Sequence, residues 1–346
     1  MKIKVLIIDD SATARNVLKE ILEKDPSIEV VGTAPDAYIG RDKIINLEPD
    51  VVCLDVEMPK MDGVTFLKKM MQYKPLPVVM VSSLTKKGAK VTIEALESGA
   101  VDFVEKPQQN LYEGKEEIEK ELIEKVKNAS KVCIQNNIIK KVDNKFLDKK
   151  VKLTETTNKI IAIGSSTGGT VALTEFLTKL PRNIPGIVIT QHMPAGFTKA
   201  FADRLNNLCE VDVKEAEDGE VIGKGMVLIA PGDFHMGVER EGGHYKVVIG
   251  TGKKISGHRP SVDYLFSTVA KEVGSNAIGI IMTGMGADGA KGLLKMKLNG
   301  SKTLGQSKES CVVYGMPKAA FELGAVEKEA HLNDFPRELL NILRKL

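Results

Sequence analysis

Three short stretches of this 346-residue chain carry residues that could perform acyl transfer together. Gly164-Ser165-Ser166-Thr167-Gly168 fits G-x-S-x-G, in which glycines let the chain turn sharply and leave a serine oxygen exposed at a strand end. Amides opening a following helix could equally hold an oxyanion or a phosphate, so a nucleotide cradle is the rival reading of the same glycines. Thr190-Gln191-His192-Met193-Pro194 brings an imidazole, and Thr283-Gly284-Met285-Gly286-Ala287-Asp288-Gly289 brings a carboxylate. A serine hydroxyl is a weak nucleophile until a base accepts its proton, and the base needs an acid to orient it. By position alone, His235 and His258 compete with His192, and Asp233 and Asp263 compete with Asp288, which could also be a plain helix N-cap. The chain order Ser, His, Asp differs from that of α/β-hydrolases, so the serine motif does not place the chain in that fold. The glycines beside Met285 make its backbone N–H a candidate oxyanion donor.

A second constellation lies near the N-terminus. Asp9-Asp10, Asp55, Ser82-Ser83 and Lys106-Pro107 each follow or close an apolar run. Carboxylates gathered on one rim repel unless a cation sits among them, and all-oxygen ligation suits Mg²⁺. A lysine and a hydroxyl nearby would complete a site for a phosphoryl group on one carboxylate.

The elements that must position these residues can be read from the patterning. Up to about residue 128, strands at 5–8, 28–33, 51–54, 78–81 and 101–104 alternate with helices marked by Val17, Leu18, Ile21 and Leu22 and at about 37–47, 64–71, 87–98 and 112–127, which predicts a doubly wound parallel sheet. Sites in such sheets lie at the carboxyl ends of the strands. Regular patterning stops over 129–158, a lysine-rich stretch without glycine or proline that reads as a connector. From 159 to 346 a second α/β region follows. Strands at 160–163, 186–190 and 277–282 lead into Ser166, His192 and Asp288, with further strands at 211–216, 226–230 and 244–249. Helices are expected at about 170–180, 197–208, 262–273 and 290–298.

Composition narrows the function classes. With 49 basic and 46 acidic residues the charge is nearly balanced, which gives no support to a nucleic-acid surface. The four cysteines are widely spaced and show no metal-binding spacing, as expected of reduced thiols in a cytoplasmic protein. No apolar run approaches the roughly 20 residues of a membrane span.

The stretches Asp9-Asp10-Ser11, Leu54-Asp55-Val56-Glu57-Met58-Pro59, Ser82-Ser83 and Lys106-Pro107 resemble a response-regulator receiver domain, of flavodoxin-like fold. That resemblance implies phosphorylation of Asp55, Mg²⁺ held by Asp10, Asp55 and the Glu57 carbonyl with Asp9 nearby, and phosphoryl sensing by Ser82 and Lys106. It also implies a cis Lys106–Pro107 bond, and it puts Phe103 at the position of the family's rotating aromatic, without a tyrosine hydroxyl. The three acyl-transfer stretches, with Ala230-Pro231-Gly232-Asp233, His258-Arg259-Pro260-Ser261-Val262-Asp263 and Tyr314-Gly315-Met316-Pro317, are similar to the Rossmann-like catalytic domain of chemotaxis protein-glutamate methylesterases. This second resemblance implies Ser166 as nucleophile, His192 as base and Asp288 as acid, with no cofactor for the ester chemistry. Ser165 stands where alanine is common, which puts a second hydroxyl near the site, and Ala287 where asparagine is common. Together the resemblances imply a phosphorylation-activated hydrolase of chemoreceptor glutamate methyl esters, also able to deamidate receptor glutamines. Its partners would be methyl-accepting chemotaxis receptors and a chemotaxis histidine kinase. An esterase for another substrate and a non-catalytic phosphate-binding scaffold are the alternative readings.

Overall fold

A computed structural model of the chain describes residues 2–83, 85–106, 115–132 and 159–345. The chain divides into two compact units, Met1–Lys140 and Lys141–Leu346. From residue 133 onward the expected connector lies outside the described residues, as does Pro107 and with it the expected cis bond.

In the first unit β1 (Ile3–Ile8), β2 (Ile28–Ala34), β3 (Val51–Asp55), β4 (Val78–Ser82) and β5 (Asp102–Glu105) form one parallel sheet in the order β2-β1-β3-β4-β5. The strands alternate with α1 (Ala12–Leu22), α2 (Ala37–Leu47), α3 (Gly63–Tyr73), α4 (Lys86–Glu97) and α5 (Lys115–Ala129). Val5 to Ile8 and Val51 to Leu54 are completely buried, because a central parallel strand is covered on both faces and so reads as a continuous apolar run. Side chains stop the strands and start the helices. Ser11 Oγ accepts the Ala14 N–H at the head of α1, and Asp62 accepts the Thr65 N–H at the head of α3. Chain order reverses between β1 and β3, so the rim holding Asp9 and Asp55 is the switch point of the sheet.

The second unit is built on a seven-stranded parallel sheet in the order β14-β13-β12-β6-β7-β9-β8. Its strands are β6 (Ile160–Ser165), β7 (Gly186–Gln191), β8 (Asp212–Glu215), β9 (Met226–Ile229), β12 (Ala277–Ile281), β13 (Lys302–Gln306) and β14 (Lys328–Ala330). A separate antiparallel hairpin pairs β10 (His235–Glu241) with β11 (His244–Gly250). Helices α6 (Gly169–Leu177), α7 (Phe197–Asn206), α8 (Val262–Glu272), α9 (Ala290–Leu298), α10 (Met316–Glu322) and α11 (Phe335–Lys345) complete it. Between β6 and β12 the chain order reverses again, and both strands are almost wholly buried.

Candidate functional site

Register carries the three acyl-transfer residues to one edge of the second sheet. Ser165 pairs with Gln191 across β6 and β7, so Ser166 and His192 emerge side by side. On the other flank Gly164 pairs with Ile281, and the chain beyond β12 runs along Ser166, whose N–H donates to Thr283 O at 3.0 Å. That bond commits the serine's own amide, so it is not an oxyanion donor. A Cβ on Gly284 would lie 2.8 Å from Ser166 Cβ, so the loop passes against the serine and Met285 is the next residue along it.

His192 Nε2 lies 2.9 Å from Asp288 Oδ2. Asp288 is 2% exposed and accepts three further bonds: Val262 N–H at 2.7 Å, Ser261 Oγ at 2.8 Å and Asp263 N–H at 3.1 Å. Two of these donors are the first amides of α8, whose N-cap is Ser261. Helix amides and the partial positive charge of the N-terminus favour an anion there. Burial works against ionising Asp288, but the His192 hydrogen bond and charge and the two amides outweigh it, and its pKa is lowered. An ionised Asp288 fixes the proton of His192 on Nε2. The opposite nitrogen, Nδ1, is buried and has no hydrogen-bond partner.

The rival residues are placed elsewhere. His235 Nε2 is 2.9 Å from Lys253 O, and its ring stacks on Tyr264. Asp233 is exposed in a turn with φ of 67°. Asp263 accepts the Gly292 N–H at 2.7 Å and so ties α8 to α9. His258 does reach the site, stacking on the His192 ring with centroids 3.8 Å apart and 13° between planes. Ser165 is fully buried and donates to Gln191 Oε1 at 2.7 Å, so its hydroxyl faces away from solvent. Gln191 in turn donates to the carbonyls of Ser166 at 3.0 Å and His192 at 3.2 Å.

Gln191 and Ser261 are the residues that motif reasoning passed over. Ser261 carries a readable signal, a serine immediately before an apolar helical run. Gln191 carries none, because a buried glutamine is recognised only by what surrounds it.

In the first unit Asp9, Asp10 and Asp55 offer carboxylate oxygens within 4.8 Å of one another. Lys106 Nζ donates to Asp55 Oδ2 at 2.8 Å and lies 2.8 Å from Asp9 Oδ2. The second contact is ionic only, since its angle makes no hydrogen bond and Asp9 Oδ2 remains buried without one. Burial pushes Asp55 up to about 6; the Lys106 hydrogen bond opposes this and the Asp9 charge adds to it. Lys106 is held above the ordinary lysine range because the two carboxylates outweigh its own burial. Three carboxylates against one ammonium leave an all-oxygen, net-negative set of the kind that holds a hard divalent cation. Ser82 is fully buried at the end of β4 and accepts a hydrogen bond from Thr92 Oγ1 at 2.7 Å. Glu57 donates its N–H to Asp55 Oδ1 at 3.3 Å. Phe103 is buried, with Lys125 Nζ 5.1 Å from its ring centroid.

Comparison with known proteins matches both units. A family model described as CheB methylesterase covers residues 161–339, and one described as response regulator receiver domain covers residues 5–115. The protein-glutamate methylesterase/protein-glutamine glutaminase of Sulfurimonas denitrificans is 59% identical over 348 residues, spanning 99% of each chain. A relative of that name from Escherichia coli O157:H7 is 49% identical over 343 residues, 98% of this chain and 96% of its own. Among solved structures, the Thermotoga maritima CheB methylesterase catalytic domain shares 44% identity at a TM-score of 0.53, covering 54% of this chain and 98% of that one.

Proposed function

The chain belongs to the CheB methylesterase family, and from that premise we propose that it hydrolyses glutamate γ-methyl esters of chemoreceptors under control of receiver phosphorylation. One observation carries the catalytic assignment. The His192 ring is bound through Nε2 to a buried carboxylate, while its Nδ1 is buried without a partner beside the serine turn. Nδ1 is thus the atom that accepts a proton.

Ser166 Oγ attacks the ester carbonyl as its proton moves to His192 Nδ1, and Asp288 stabilises the resulting imidazolium. The oxyanion is held by backbone N–H groups of the glycine-rich loop, with Met285 the assigned donor. His192 then protonates the departing methoxide, and methanol leaves. Water attacks the acyl-enzyme with His192 again as base, giving free glutamate and restoring Ser166. A receptor glutamine enters the same acyl-enzyme with ammonia as leaving group, which is the glutaminase activity named in the relatives.

In the receiver, Asp55 is the residue to be phosphorylated, and Asp10, Asp55 and the Glu57 carbonyl would hold Mg²⁺ with Asp9 beside them. The buried, hydrogen-bond-free Asp9 Oδ2 and the excess negative charge fit a divalent cation there. When bound, Mg²⁺ neutralises charge on the transferring phosphoryl group. Lys106 pairs with the phosphoryl oxygens and Ser82 answers their arrival. A histidine kinase is the phosphodonor and the cytoplasm the place of action, and no helix of the described residues is long and apolar enough to cross a membrane. We assign residues 1–128 to the receiver, 129–158 to the connector and 159–346 to the esterase.

Methanol release from methylated chemoreceptor tests the whole reading. Release should rise with a small phosphodonor and Mg²⁺, lose that rise in Asp55→Ala and vanish in Ser166→Ala. A probe-reactive Ser166 without methanol from any methylated receptor would move the substrate elsewhere.

A further inference from the structure

We propose that Arg259 is a specificity residue whose guanidinium takes a carboxylate on the substrate close to the scissile ester, so that esters flanked by free acidic side chains are preferred. The inference rests on the methylesterase reading and adds to it what the enzyme recognises around the ester.

A guanidinium withdrawn from water is normally matched to an anion, because an unpaired charge away from solvent is costly. Half-buried Arg259 has no such match. Its Nη1 donates only to the carbonyls of Gly252 at 3.1 Å and Thr251 at 3.4 Å, and Nε is buried without a hydrogen-bond partner. No carboxylate lies within ion-pair distance of it among the described residues. The sequence contains no Asp or Glu between Glu241 and Asp263, while Lys253 and Lys254 on the same segment are exposed.

The chain is fastened to the reaction centre on both sides of Arg259. The preceding residue, His258, lies flat on the ring of His192, and Ser261, two residues on, donates to Asp288. Consecutive Cα atoms are about 3.8 Å apart, so Arg259 starts one residue from the group that covers the base. On a substrate helix, residues four apart share a face about 6 Å from each other, a distance an arginine side chain spans. The planar fork of guanidinium suits a carboxylate, and hydrolysis itself makes carboxylates. Each turnover turns a neutral ester into a glutamate, so the preference favours the next ester on the same helix.

The test uses two methylated chemoreceptor fragments, one with acidic residues flanking the ester and one with those residues changed to alanine. Methanol release is measured for the full-length enzyme and for Arg259→Gln and Arg259→Lys. Wild type should show a KM about tenfold higher on the alanine fragment, with kcat within twofold, as expected for one charge-assisted contact. Arg259→Gln should have that higher KM on both fragments, and Arg259→Lys should fall between, with the difference shrinking as salt is raised. Equal wild-type KM on the two fragments would overturn the inference without touching the methylesterase reading. So would a loss in Arg259→Gln that falls on kcat equally for both. Absence of methanol from either fragment would remove the methylesterase reading itself and this inference with it.

Discussion

The two adjacent serines make a sharp contrast at the residue scale. Ser166 is half-buried at the turn, whereas Ser165 points into the sheet and spends its hydroxyl on Gln191. Ser166→Ala should abolish labelling by a fluorophosphonate probe. Ser165→Ala should keep the labelling and lose less than about tenfold in rate, since one buried hydrogen bond contributes about 1 kcal/mol. Labelling that followed Ser165 would overturn the nucleophile assignment. Asp55 makes a prediction about pH. An unfolded aspartate titrates near 4, and in the fold Asp55 titrates at about 6 because burial outweighs the Lys106 hydrogen bond. The folded state thus keeps the proton to higher pH, so stability is lost as pH rises from about 4 to about 6 and is level above that. With chelator present, Asp55→Asn should be more stable than wild type at pH 7.5, on the order of 2 kcal/mol. The two should converge below pH 4, and thermal melts across that range would expose any other dependence.

At the element scale, the acid is held by a helix. Asp288 takes the first two amides of α8 and the hydroxyl of its N-cap, so Ser261 serves both the helix and the site. Ser261→Ala should cost about 1 kcal/mol of stability and lower kcat more than it raises KM, because the bond it breaks orients the acid. Gly169→Ala should be worse, since its Cβ would stand 2.1 Å from Gln191 Oε1 and push away the amide that holds the Ser166 and His192 carbonyls. Unchanged turnover in either variant would count against this arrangement. The strands that deliver Ser166, His192 and Asp288 were legible because buried parallel strands are unbroken apolar runs. The edge was not. Strand β14 is three residues, Lys328–Ala330, with only Ala330 buried, and β10 ends in Glu239-Arg240-Glu241, so neither carries a pattern that separates it from a loop. The sequence also left His192, His235 and His258 as equals by position, because the difference among them is a bond to a carboxylate 96 residues away. Family resemblance named a set to test, and the geometry brings its histidine and carboxylate within hydrogen-bond distance.

The whole molecule consists of two compact units, each with its own parallel sheet and its own buried apolar strands. Each is large enough to bury a core and unfold cooperatively. The acidic site belongs to the first unit alone, since Asp9, Asp10, Asp55 and Lys106 all come from its strand ends. A ligand that binds only the folded form raises the stability of the unit that holds it, by RT ln(1 + [L]/Kd). Full-length protein should therefore show two calorimetric transitions, of which Mg²⁺ raises one by a few degrees and leaves the other in place. Asp10→Asn, exposed at the rim, should remove most of that rise without moving the chelated baseline, because an exposed carboxylate contributes little to the fold itself. Ser166→Ala should leave the Mg²⁺-dependent rise intact. A single transition that shifts as one with Mg²⁺ would mean that the two units unfold together, and stabilisation persisting in Asp10→Asn would place the cation on other ligands.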